Sequence, residues 1–338
     1  MRPTIDTARP RPDIGVALSE TMAAAPAMGF IGLQLLPVFR TPVSEGTFEV
    51  VPVEALHNLR DDRRKGGGHY NRDEAETERG MFLTRDRGLE ARKDRRTLKT
   101  YGSDTNGVLL YERVIAQRKL FDVLRAAEKR IADKIINTTN FPTPLAAGTA
   151  WDAANSDPRK NVNAAKKFLK GKGVIADTLA ISWNTFMNLS ENAAIQTVVY
   201  QLFPEAAKSG QVTIDHLRVY FDLPKILVGG AMYNSANPGL NATLAEIWPD
   251  THAWVGKTSA SADLSEPCVG RTFLWTGDGA GGDGLVAVED YPDEPARSDI
   301  VRVRWDVDER LLATVDDANA EKSKIYQACG KLISGIKT

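Results

Sequence analysis

The stretch Thr105–Asn137, TNGVLLYERVIAQRKLFDVLRAAEKRIADKIIN, decides the reading of this chain. Leu110, Val114, Phe121, Leu124, Ala127, Ile131 and Ile135 recur at steps of three, four or seven. Such steps gather residues on one side of a 3.6-residue helix. Arg113, Lys119, Asp122, Glu128, Lys129 and Asp133 fall mostly on the rest of the circumference. About thirty helical residues span roughly 45 Å, long for a globular helix. The heptad pattern breaks at Glu128, so no partner coiled coil is predicted. The expectation is a spine lying across a sheet, with Phe121 and Leu124 facing the core. Ser103 and Asp104 offer side-chain caps at its start, and Pro142 and Pro144 stop the chain after it.

Composition bounds the rest. The 338 residues are 42% hydrophobic and 26% charged, with a net charge of −1. That allows one to three domains and gives no sign of a nucleic-acid binder. Cys268 and Cys329 form no metal or redox pair motif, which fits a reducing compartment. No charged segment followed by an uninterrupted apolar run opens the chain, so no signal peptide is read. Met22–Phe39 is apolar, but Pro26, Gly29, Gly32, Gln34 and Pro37 interrupt it, and no membrane span is expected.

In chain order, residues 1–20 read as an extended arm, and Met22–Leu36 as a short apolar helix or a buried extended run. Phe48, Val50, Val51 and Val53 begin a strand. Residues 60–99 hold thirteen Lys and Arg against nine Asp and Glu, a local charge of +4, with few apolar residues. Such a segment does not hold itself folded alone. Disorder, a nucleic-acid tail and a hairpin ordered by neighbouring subunits are the alternatives. Met81-Phe82-Leu83 and the strand-like Leu98–Tyr101 favour the hairpin.

Beyond the spine, Asp157-Pro158 marks a helix start. Val162, Ala165, Phe168 and Leu169 then share a face up to Gly171 or Gly173. Thr178–Ile181 and Ile226–Val228 read as strands. Trp183–Leu189, Ile195–Phe203 and Thr213–Leu217 read as helices. Strands are also predicted at Ile247-Trp248, Ala253–Val255, Thr272–Trp275, Leu285–Val288, Ile300–Trp305 and Leu311–Val315. A closing helix is predicted over Ala318–Ile333. With no regular βαβ repeat, the fold class is α+β.

Chemistry is absent by sequence. Gly277, Gly279 and Gly282 match a dinucleotide fingerprint, but a strand-like run follows where a helix is required. His57, His69, His216 and His252 make no ligand spacing, and no G-x-S-x-G elbow occurs. No catalytic, cofactor-binding or metal residues are assigned, no cofactor is expected, and no enzyme is read.

Several features stand in an order that resembles the major capsid proteins of tailed bacteriophages. They are Leu36-Pro37-Val38, the strand Gly46–Val50, the charged loop and the long helix, then Trp151 with Ser156-Asp157-Pro158. Gly173–Thr178, Gly210–Thr213, Val228–Asn234, Ile247–Asp250, Gly270–Trp275, Tyr291–Glu294 and Ser298–Val301 follow. The resemblance is to the lambda-type capsid family, with the Hong Kong 97-type fold. It implies an N-terminal arm (1–45), an extended loop or projecting β-hairpin (46–104), and a peripheral domain with the spine helix (105–156). An axial domain (157–300) and a return to the peripheral domain (301–338) complete it. It further implies self-assembly into hexamers and pentamers of an icosahedral shell, put together in the host cytoplasm and found in the virion. The implied partners are a scaffolding protein or protease, a portal protein, a possible decoration protein and packaged double-stranded DNA held non-specifically. An encapsulin-like shell, which uses the same fold, is the alternative. The near-neutral charge predicts loose DNA contact through scattered Lys and Arg, because Asp6, Asp13 and Glu20 nearly cancel Arg2, Arg9 and Arg11.

Overall fold

The computed structural model describes residues 9–50, 59, 63–64, 70, 78–96, 105–237, 239–261, 263–264, 266–277, 285–312 and 329–337. The side chains of Pro12, Val16, Ser19, Val50, Glu78 and residues 105–110 are outside that description. So are Ser103, Asp104, Leu98–Tyr101, Gly279 and Gly282, along with the side chain of Leu110.

Two sheets organise the described residues. The first has six strands: β1 (Arg9–Pro10), β2 (Val38–Thr41), β5 (Arg85–Asp94), β12 (Gly270–Trp275), β13 (Ala287–Asp293) and β14 (Ser298–Leu311). β14 is its axis. It pairs antiparallel with β13 over Ser298–Arg304, with β5 over Ser298–Val307 and with β12 over Val307–Leu311. The second sheet runs β6 (Leu145–Ala146), β15 (Gly330–Ser334), β11 (His252–Gly256), β7 (Thr178–Ser182), β8 (Lys225–Gly229) in spatial order. β3 (Glu45–Val50) and β4 (Glu78–Leu83) form a separate antiparallel hairpin. β9 (Met232–Asn234) and β10 (Leu244–Glu246) form another.

The predicted spine is the helix α3 (Thr105–Ile135), 31 residues long. Its buried face is Ala116, Leu120, Val123, Leu124, Ala127, Ile131 and Ile135. Phe121 is half-buried and Val114 is exposed, contrary to the predicted stripe. The reason is angular. At about 100° per residue, Leu120, Val123, Ala127 and Ile131 centre the buried arc, and Val114 and Phe121 lie about 100° off it. A seven-residue step keeps two residues together without saying which side of the helix they share.

The extended-arm reading is corrected over residues 12–20 by α1 (Pro12–Ala23), while residues 1–8 lie outside the description. Pro12 has its φ preset for a first turn, where its missing N–H is no loss. Ile14, Leu18 and Met22, four apart, bury one face against α3 and β13. A 3-10 turn (Ala25–Met28) and the short α2 (Gly32–Leu35) follow. That settles Met22–Leu36 as helical pieces.

The second sheet is packed by α4 (Pro158–Gly171), α5 (Trp183–Glu191), α6 (Ala193–Leu202), α7 (Pro204–Ser209) and α8 (Ile214–Phe221). Asp157 caps α4 as expected, its carboxylate accepting the Lys160 amide at 3.0 Å. Trp151 is fully buried in this core. Ser156 ties it in, donating to the Trp151 carbonyl and accepting from the Asn192 side chain at 2.9 Å.

Three further expectations change. Ile247-Trp248 is a bend, and the strand there is β10, because Trp248 turns inward instead of alternating. Ile300–Trp305 and the start of Leu311–Val315 belong to one uninterrupted strand. Lys331–Ile333, predicted as the end of a helix, lies in strand β15, where pairing on both edges overrides local helix preference. Residues 313–328 lie outside the description.

Strand pairing also groups the chain unlike its sequence order. β12, β13 and β14 share the six-stranded sheet with α1 and α3, whereas β15 sits inside the five-stranded sheet. A third cluster joins the two layers, with Leu35, Ile131, Ile135, Phe141, Trp248, Trp254 and Leu332 among its members.

Candidate functional site

The described residues hold no cluster of three or more metal-ligating side chains, and no described helix is long and apolar enough to cross a membrane. His216 serves a helix cap, its Nδ1 accepting the Thr213 amide at 3.1 Å. The candidate site is a surface: the β3–β4 hairpin and the joints that fix where it leaves the body.

The hairpin is held at its base by aromatic rings. Phe82 stacks on Phe273 of β12 with centroids 4.4 Å apart and planes 4° apart. Phe48 lies 5.6 Å from the same ring, and Phe39 meets it edge-on at 5.7 Å. The register places Phe48 opposite Gly80 and Phe82 opposite Gly46. A Cβ at Gly80 would come within 2.2 Å of Phe48. The glycine is what lets the ring lie flat across its partner strand. The outward side chains are mixed: Met81 is 71% exposed and Leu83 is exposed on β4, opposite exposed Thr47 and Glu45 on β3. A two-stranded hairpin is marginal alone in water, and its exposed Met81 and Leu83 side chains leave water only through association.

The second anchor is ionic. Lys93 on β5 is 1% exposed and donates to Glu112 of α3 at 2.8 Å, with Asp290 of β13 at 3.3 Å. Arg11 donates to the other Glu112 oxygen at 3.0 Å and forks onto Asp13. That fork lowers the Asp13 carboxyl below its ordinary range and raises the Arg11 guanidinium. Burying one charge without its partners would be costly. The cluster therefore fixes β5, the spine, β13 and the start of α1 to one another. Arg11 and Asp13 neutralise each other, as the charge count anticipated.

The third joint was hidden in the sequence. Glu128, placed by periodicity on the polar side of the spine, is 3% exposed. Its Oε1 accepts the Ile31 amide and the Trp248 indole N–H, each at 2.7 Å, and its Oε2 accepts the Gly32 amide at 2.8 Å. Burial pushes this carboxyl up, against the pull of its three donors. Gly229 supplies the room, since a Cβ there would meet the Trp248 ring at 2.3 Å. The only sequence sign was the broken heptad at Glu128. Its partners lie 96, 97 and 120 residues away, beyond any local pattern.

No family model matches the chain, and no curated protein does. Among solved structures, it matches a phage-related protein from Bordetella bronchiseptica RB50 with a TM-score of 0.66 at 20% identity, over 97% of each chain. A virus-like particle from Pyrococcus furiosus matches at 0.49 and 12% identity, over 94% of this chain and 98% of that one. A chain of Mycobacterium phage Adephagia matches at 0.49 and 10% identity, over 90% of each. The α+β chain described above thus has the fold of the Bordetella phage-related protein along nearly its whole length.

Proposed function

We propose that this chain is the major capsid protein of a tailed bacteriophage, a shell subunit of the Hong Kong 97-type fold and not an enzyme. The observation that carries the reading is the β3–β4 hairpin, anchored at its base by Phe273 and presenting Met81 and Leu83 to solvent. A monomer gains nothing from that ribbon, whereas a lattice of subunits buries it. The order of sequence motifs and the fold shared with a phage-related protein support the same reading.

In this reading the six-stranded sheet with α1 and the spine is the peripheral domain, and the five-stranded sheet with α4 to α8 is the axial domain. Of the residues 46–104 expected to form the extended loop, the β3–β4 hairpin is the part that reaches a neighbour, and β5 stays in the peripheral sheet. The subunit assembles into pentamers and hexamers, in the host cytoplasm, around double-stranded DNA. A scaffolding protein or protease, a portal protein and a decoration protein are its further partners.

Electron microscopy of the purified protein tests this. The expected result is capsomers, sheets or closed icosahedral particles. A small defined oligomer at every concentration would refute it. An encapsulin-like compartment would form closed particles too, but would carry a cargo protein in place of DNA.

A further inference from the structure

One face of α4 is unlike the rest of the chain. Residues 158–172 contain Arg159, Lys160, Lys166, Lys167, Lys170 and Lys172 and no Asp or Glu, in a protein of net charge −1. The helix buries Val162, Ala165 and Leu169 against the five-stranded sheet. Arg159, Lys160, Lys167 and Lys170 are turned outward and exposed.

Part of this charge is already used. Lys166 is bound to Asp222 at 3.1 Å and to two main-chain carbonyls, and Arg159 lies over the Tyr220 ring at 5.4 Å. Lys160, Lys167 and Lys170 have no ion pair among the described residues. Lys160 and Lys167 are seven residues apart, or about 10 Å along the helix. Between them lies a shallow groove of ≈ 390 Å³ floored by Asn163 and Ala164. The carboxylate at its end, Asp157, is occupied by the Lys160 amide.

We propose that this stripe binds the phosphodiester backbone of duplex DNA without reading its sequence. Three features select that partner. The cations without an ion pair are lysines, point charges suited to a phosphate, and the one planar fork beside them, Arg159, lies over the Tyr220 ring. Their spacing along a rod suits an anion that repeats along its own length. The exposed residues between them are small or polar, so an acidic protein segment would find no aromatic or aliphatic anchor there. DNA contact is thereby concentrated on one helix face and not scattered over the chain. The inference rests on the capsid reading only for the source of the DNA.

The test uses the full chain and a random-sequence duplex of about 30 base pairs, titrated from about 50 to about 200 mM salt. Loss of three phosphate contacts should flatten the slope of log K against log salt by about 2.7, at roughly 0.9 per contact. That is the expected result for Lys160→Gln/Lys167→Gln/Lys170→Gln, with affinity at least about tenfold weaker at the low-salt end. The same three positions changed to Arg should keep the wild-type slope, and Lys208→Gln on α7 should leave it unmoved. On the wild type, duplex should protect Lys160, Lys167 and Lys170 from acetylation, a readout independent of any variant's folding. An unchanged slope in the Gln variant, no protection of these lysines, or tighter binding to polyglutamate than to duplex overturns the proposal. Particle formation is scored separately. Normal particles without stripe-dependent binding defeat this inference alone, and stripe-dependent binding without particles defeats the capsid reading alone.

Discussion

The Trp248 indole N–H donates to Glu128 Oε1 at 2.7 Å, joining two residues 120 positions apart. The bond lies where the spine, the start of α2 and the loop after β10 meet, between the two sheets. Glu128→Ala would leave three buried N–H groups without an acceptor. The expected cost is about 3 kcal/mol or more, at about 1–3 kcal/mol for each buried donor left unsatisfied. Chemical denaturation of the soluble subunit measures it, and a loss below about 1 kcal/mol would mean the joint is dispensable.

The same carboxyl makes a pH prediction. Its folded-state pKa is raised, by burial first, so the folded chain holds a proton that the unfolded chain has released. The stability contributed is complete below the ordinary carboxyl value and drains away as pH rises through the raised one. Glu128→Gln removes this titration. The unfolding free energy of wild type minus that of the variant should fall as pH rises from about 4 toward neutrality. A difference that is flat or rises would contradict the raised value.

Phe121 and Leu124 separate two readings of the spine. Leu124 is buried, and Phe121 borders an open groove with Tyr111, Ile115 and Arg118. Leu124→Ala should cost about 2–5 kcal/mol, and Phe121→Ala less than about 1.5 kcal/mol because much of the ring stays wet. The reverse order in thermal melts would restore the face read from periodicity.

The hairpin has its own test. Gly80→Ala drives a methyl into the Phe48 ring, and overpacking of this kind typically costs about 1–3 kcal/mol. The loss should be local. Amide exchange over residues 78–83 should speed up by roughly tenfold or more, since 1.4 kcal/mol corresponds to a factor of ten, with the global melt little changed. Unaltered exchange would show that the ring has room to move.

Lys93 offers a fifth measurement, again by chemical denaturation. Replacing it with Met keeps the volume but leaves Glu112 and Asp290 facing a neutral chain, with Arg11 still bound to Glu112. A loss of about 3–5 kcal/mol is expected, as for breaking a buried ion pair from one side. A neutral or stabilising outcome would show that Arg11 alone satisfies both acids.

The sequence made the local devices legible. Asp157-Pro158 announced its helix because cap and first-turn proline act within three residues. Thr178–Ile181 announced a buried strand because β-branched and apolar residues there have nowhere polar to face. What it hid was set by distant partners. Glu128 and Lys93 look like ordinary solvated charges until Trp248, Ile31 and Asp290 arrive from elsewhere in the chain. Lys331–Ile333 looked helical because nothing local reveals neighbours at 145–146 and 252–256. No catalytic residue was read, and the candidate site became a surface hairpin whose Met81, Phe82 and Leu83 were visible as a brief apolar interruption in a charged run.

The position of β15 has a bearing on how the subunit is made. Residues 330–334 occupy an interior place in the five-stranded sheet, between strands drawn from 145–146 and 252–256. During synthesis from the N-terminus, both of those flanking strands leave the ribosome before the piece that joins them exists. The sheet closes only after the chain has been made through residue 334. Until then each neighbour presents an open edge, a template for wrong pairing, and such long-range closure is slow. The five-stranded sheet is thus held open by its own topology until the last described strand exists, and the hairpin at Met81 is made well before the body behind it is finished.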